Sequence, residues 1–220
     1  MPRRFDLLVL DLDGTLVDSE ALLVDLVNET LQAAGYPAAA RRTVATSIGL
    51  PLAEVFQRAL PKAAADAIDA LCAQYRKRAN QLDFVRRFRL YPEVDSTLDR
   101  LRAAGVRLVV GTSKGRATTL DILRHCGIVG AIDAVIGGDS VSRGKPHPEM
   151  VERARALFRT PAERTLMVGD TSFDIQMGQA AGVATCAVTY GMHAPEVLSA
   201  LQPDFLIDRF AVLPTLLSSS

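Results

Sequence analysis

Asp11 and Asp13 stand one residue apart at the end of an apolar run, Leu7-Leu8-Val9-Leu10, and Gly14 follows at once. Such a run reads as a buried strand, and in an α/β sheet the carboxyl ends of the strands face the ligand crevice. Two carboxylates so placed suit aspartyl-phosphate formation, in which an acid attacks phosphorus and holds the group covalently, splitting one hard displacement into two easier ones. Asp11 is the candidate nucleophile. Asp13 is the candidate acid and base, protonating the leaving alkoxide and later taking a proton from water. Gly14 permits a sharp turn and a close backbone approach to an anion. A strand that merely ends in an Asp- and Gly-rich turn fits these residues equally well.

Three later stretches carry groups that such chemistry needs. Thr112-Ser113-Lys114 follows a second apolar run, and its hydroxyls and amides, with the start of the next helix, can hold phosphate oxygens. Capping of that helix by Thr112 or Ser113 is the competing account. Lys145 lies in Arg143-Gly144-Lys145-Pro146-His147-Pro148, where two prolines stiffen the loop. A cation held there can neutralise a nucleophile and a transferring phosphoryl group, whereas His147 reads as an exposed loop residue. Gly169-Asp170-Thr171-Ser172-Phe173-Asp174 again puts a carboxylate at a strand end. Asp11, the main-chain carbonyl of Asp13, and Asp170 make a set suited to Mg2+, with Asp174 acting through water or a hydrogen bond, or else capping the next helix.

The elements that must position these groups follow from periodicity. After the first strand, Leu22, Leu23, Leu26, Val27 and Leu31 stripe a helix that Asp18 or Ser19 can cap and that Gly35 and Pro37 close. A loop is expected from Arg41 to Pro51, then helices over 52–60 and 68–75, with no convincing strand from Val17 to about Phe88. From Tyr91-Pro92 the pattern alternates strand and helix, with strands at 106–110, 134–136, 165–168, 183–188 and 205–207. Repeated βα units predict an α/β fold with a Rossmann-like parallel sheet covered by helices on both faces. The expected division is a core of residues 1–16 and 90–220 and a helical insert of residues 17–89.

Composition bounds the rest. The chain has 220 residues, 49% hydrophobic and 23% charged, enough for one good core and an inserted subdomain. Acids and bases balance at 25 each, which gives no general attraction to nucleic acid or anionic membrane. Cys72, Cys126 and Cys186 are widely spaced without metal-ligand spacing and read as buried free thiols in a reducing cytoplasm. Asp11 and Asp13 interrupt the first apolar run too early for a signal peptide or a membrane span.

Taken together, Asp11-Leu12-Asp13-Gly14-Thr15, Thr112, Lys145, and Asp170 with Asp174 resemble the four motifs of the haloacid dehalogenase superfamily, in chain order and over nearly the whole length. The resemblance implies a phosphatase with a helical C1-type cap inserted after the first strand. It implies Asp11 as nucleophile, Asp13 as acid and base, Thr112 and Lys145 on phosphate, and Mg2+ as cofactor. Asp18-Ser19 and Ile48-Gly49-Leu50-Pro51-Leu52 look closest to phosphoglycolate phosphatases, whose cap loops close over the site and read the leaving group. Glu93 departs from the pattern, standing where relatives often have glycine. The substrate implied is a small phosphorylated metabolite such as 2-phosphoglycolate. A sugar phosphomutase using the same phosphoaspartate and a non-catalytic metabolite-binding protein are the alternatives, and monomer and dimer both stay open.

Overall fold

Leu7, Leu8, Val9 and Leu10 are all buried, because strand β1 (Leu7–Leu10) has a neighbour on each edge and a packed layer on each face. The computed structural model describes residues 4–217; Arg3 and the Ser218 to Ser220 tail lie outside them. Next come a two-residue strand, β2 (Val17–Asp18), helices α1 (Glu20–Ala33), α2 (Arg41–Ala45), α3 (Leu52–Ala59), α4 (Ala65–Ala79) and α5 (Leu82–Val85), and strand β3 (Arg89–Leu90). Helices and strands then alternate: α6 (Val94–Ala103), β4 (Arg107–Gly111), α7 (Arg116–His125), β5 (Ala134–Ile136), α8 (Glu149–Phe158), β6 (Thr165–Gly169), α9 (Ser172–Ala180), β7 (Ala184–Val188), α10 (Pro195–Ser199) and β8 (Phe205–Ile207).

The expected α/β architecture is present as a six-stranded sheet in the order β5-β4-β1-β6-β7-β8, with every pairing parallel. Side chains alternate across it with a period of two. Leu8, Leu10, Leu108, Val110, Leu166 and Val168 enter one core with residues of α1, α6 and α7; Leu7, Val9, Val109 and Met167 enter the other with Met150, Val151 and Ala154 of α8 and Met177 of α9. Burial of each such side chain contributes roughly 1.5–3 kcal/mol.

Register does the positioning. Leu10 pairs with Val110 on one side and Val168 on the other, so β1, β4 and β6 end level. The residues just beyond, Asp11, Thr112 and Asp170, therefore leave the sheet along one edge.

Helices α1 to α5 form the segment between β1 and β4. They depart and return through an antiparallel ribbon in which Val17 pairs with Leu90 and Asp18 with Arg89. The expected loop from Arg41 to Pro51 is in fact partly helical, since α2 occupies 41–45, a turn too short to show a periodic stripe. The short α5 and α10 escape periodicity for the same reason. At the N-terminus of α1, Ser19 occupies the cap position without a side-chain bond to the helix, because its hydroxyl is spent on Asp13.

Glu93 precedes α6 in the left-handed region, at φ 61° and ψ 9°. A side chain there brings Cβ too close to the following carbonyl, at about 1–2 kcal/mol, and glycine escapes the clash. Glu93→Gly is expected to raise the melting temperature by roughly 2–4 °C, the shift about 1 kcal/mol gives in a chain of this size. A melting curve that is unmoved or lowered would show that the strain is relieved elsewhere.

Candidate functional site

Five segments meet at the level ends of β1, β4 and β6. After β1 the chain turns tightly: the N–H groups of Leu16 and Val17 both donate to the Leu12 carbonyl, at 2.9 and 3.0 Å, and Gly14 takes φ 81°. Gly14 is forced on two counts, since a Cβ there would also lie 2.0 Å from Asp170 Oδ2. The same turn aims the Thr15 hydroxyl at Asp170 Oδ1, 2.8 Å away. Asp170 Oδ2 accepts the Met192 N–H at 2.8 Å, and Gly191 leaves room for that approach.

Lys145 is fully buried, unlike the solvated lysine an isolated loop would give. Its ammonium donates to Asp11 Oδ1 at 2.5 Å and Asp174 Oδ1 at 2.6 Å. The loop is held from outside by Glu149, whose carboxylate accepts the N–H groups of Ser142 and Arg143; those bonds keep its carboxyl below the usual range. His147 is half-buried, and its Nδ1 accepts the Glu149 N–H at 3.2 Å at the start of α8. Asp174 also completes a capping box on α9, accepting from the Thr171 N–H and hydroxyl at 3.1 and 2.6 Å. It thus both caps its helix and reaches the site.

Asp11, Asp170 and Asp174, all buried, bring ligand oxygens within 4.8 Å of one another. One ammonium faces three carboxylates, and the surplus negative charge shows in their acidity. Burial pushes the Asp11 carboxyl up to about 7 against the pull of Lys145, with Asp174 and Asp13 adding to the rise. Burial, then the charges of Asp11 and Asp174, holds Asp170 well above the usual carboxylate range. Burial alone would lower Lys145, but Asp11 and Asp174 outweigh it and raise it instead. A hard divalent cation fits such an all-oxygen, negatively charged set.

Asp13 stands outside that trio, with partners of its own. Ser19 donates to its Oδ1 at 2.7 Å and Lys114 to its Oδ2 at 2.6 Å. Thr112 is buried, and its hydroxyl accepts the Lys114 N–H at 3.2 Å instead of capping α7, whose N-cap is Gly115. The Ser113 hydroxyl donates to the Gly49 carbonyl at 2.6 Å, tying β4 to the segment of α1 to α5. His193 makes a second tie. Its Nδ1 accepts from Ser172 N at 3.0 Å, so Nε2 carries the proton and donates to the Thr46 carbonyl at 3.1 Å; burial holds its pKa below the ordinary value.

Sequence reasoning thus named Asp11, Asp13, Thr112, Ser113, Lys145, Asp170 and Asp174, of which Ser113 has its hydroxyl on the Gly49 carbonyl, and passed over Thr15, Ser19, Lys114, Thr171 and His193 as partners. Only Thr171 had a legible signal, the Thr-x-x-Asp spacing of a capping box.

Residues 8–188 match the family model described as haloacid dehalogenase-like hydrolase. The phosphoglycolate phosphatase of Cupriavidus necator is 35% identical over 214 residues, covering 96% of this chain and 92% of that one. The pyrophosphatase PpaX of Halalkalibacterium halodurans is 31% identical over 198 residues, covering 90% and 89%. The solved structure of a haloacid dehalogenase-like hydrolase from Bacteroides fragilis superposes with a TM-score of 0.90 at 28% identity, covering 95% of this chain and 99% of that one. A fold, a set of strand-end residues and full-length relatives that agree leave one conclusion: the chain belongs to the haloacid dehalogenase-like hydrolase family.

Proposed function

We propose that this hydrolase is a Mg2+-dependent phosphatase of small phosphomonoesters, 2-phosphoglycolate or a close analogue, working through an aspartyl phosphate. The observation that carries the reading is Asp11 at the end of β1, bonded to a buried lysine and flanked by two further buried carboxylates. A relative bearing the name phosphoglycolate phosphatase over 96% of the chain supports the choice of ester.

Asp11 attacks phosphorus as the ester P–O bond breaks, and Asp13 hands its proton to the departing alkoxide. Asp13 then takes a proton from water, the water oxygen bonds to phosphorus, and the Asp11–phosphorus bond breaks to release phosphate. Lys145 offsets charge on Asp11 and on the phosphoryl oxygens, and Thr112, with Ser113 beside it, receives those oxygens. Asp11, the Asp13 main-chain carbonyl and Asp170 would hold Mg2+, with Asp174 orienting Lys145 beside them. When bound, the ion adds positive charge against the phosphoryl oxygens as they become more negative.

Residues 17–89 would act as a cap over a core of residues 1–16 and 90–220, hinged at the β2–β3 ribbon. The free thiols Cys72, Cys126 and Cys186 suit the cytoplasm, although Cys126 is only half-buried. Among the described residues no helix is long and apolar enough to cross a membrane.

Two outcomes test this. Asp11→Asn should lower phosphate release from 2-phosphoglycolate by about 10³-fold or more, as removal of a covalent nucleophile does; release at the original rate would rule Asp11 out. The second concerns the ion. With Asp11 raised from 3.8 to about 7 on folding, a proton holds the site at low pH, and its stabilising contribution is lost as pH rises through 7. Mg2+ can take that place only once the proton leaves, so the Mg2+-induced rise in melting temperature should be larger at pH 8 than at pH 5.5. Equal shifts at both values would contradict binding at Asp11.

A further inference from the structure

Lys114 is a second cation at the site, distinct from the one that faces the nucleophile. Lys145 spends its ammonium on Asp11 and Asp174. Lys114 spends one hydrogen bond, on Asp13 Oδ2 at 2.6 Å, and an ammonium carries three N–H donors. Its side chain is nonetheless only 15% exposed. The aromatic ring of Phe88, 5.4 Å from Nζ, walls it on the side of the segment that precedes β3. The Lys114 N–H bonds Thr112 Oγ1, so the backbone under it is fixed to the end of β4. A mostly enclosed ammonium with donors to spare, beside an aromatic wall, is arranged to receive an anion.

Its position says which anion. Asp13 is the residue that faces the ester oxygen of the leaving alcohol in the function proposed above, on which this inference rests. A group that reaches Lys114 while its ester oxygen lies within hydrogen-bond reach of Asp13 must sit on the leaving alcohol, one or two carbons from that oxygen. A single ammonium with two donors left matches one carboxylate; a second phosphoryl group would need more donors than Lys114 supplies.

We propose that Lys114 is the specificity-determining residue for the leaving group, and that it binds a carboxylate one or two carbons from the ester oxygen through the donors its bond to Asp13 leaves over. The substrate class is then the phosphate esters of short hydroxy acids. Esters of neutral alcohols leave Lys114 with Asp13 alone.

The test compares 2-phosphoglycolate with 2-hydroxyethyl phosphate, which is nearly the same size and lacks the carboxylate. The wild-type kcat/KM should favour 2-phosphoglycolate by roughly 100-fold, the scale for loss of a charged partner in a binding site. Lys114→Met should bring that ratio close to one, and Lys114→Arg should keep most of it. The ratio is taken within one preparation, so incomplete folding cancels. A Lys114→Met ratio within about twofold of the wild-type value overturns the proposal, whatever happens to the absolute rates. Calorimetric binding of 3-phosphonopropionate and 3-hydroxypropylphosphonate to the wild type and to Lys114→Met provides a readout without turnover. A wild-type preference for the carboxylate that Lys114→Met loses supports the proposal; equal affinity in the wild type, or a preference that survives the substitution, overturns it. If the wild type released phosphate from no ester, the phosphatase reading would fail while the phosphonate pair still judged Lys114.

Discussion

The site is governed by a shortage of positive charge. Three carboxylates are buried within reach of one another and one buried ammonium answers them. Buried ions of one sign cannot be left in excess without a large desolvation penalty, so protons must be retained, a metal ion bound, or the backbone must supply donors. The fold supplies the donors in number. Thr15 and the Met192 N–H serve Asp170, and Thr171 serves Asp174. Glycines at 14, 169 and 191 are the places where the backbone must come close enough to these acids that no β-carbon fits.

Burial is the largest cause of the rise at both Asp11 and Asp170. The segment of α1 to α5 is joined to the same end of the sheet. Two side-chain ties hold it across, Ser113 to the Gly49 carbonyl and His193 to the Thr46 carbonyl. Neutral hydrogen bonds of this kind contribute only about 1 kcal/mol each.

Much of this was legible because it depends on local patterns. Leu7 to Leu10 followed by Asp11 declares a buried strand with an acid at its end, and the same grammar marks Gly111-Thr112 and Gly169-Asp170. The parallel sheet followed from strand and helix alternation after Tyr91. What stayed hidden depends on direction. No spacing rule says that Ser19 turns to Asp13 and not to its helix, that Ser113 reaches Gly49, or that Lys114 lies on Asp13 across 101 positions of chain. The short helices α2, α5 and α10 were missed because one turn contains too few residues to display a stripe.

The two-residue ribbon of β2 and β3 brings the point where the chain leaves the sheet beside the point where it returns. Asp18 and Arg89 are register partners although 70 other residues separate them. For the sheet, this stretch is closed off at its base, like a loop tied with a knot at its neck. Strand order and the alignment of β1, β4 and β6 are fixed below the tie, so the architecture places little demand on how long that excursion is or what it is made of. A lineage can therefore rebuild that excursion while the side chains that follow β1, β4 and β6, Lys114 among them, keep their places.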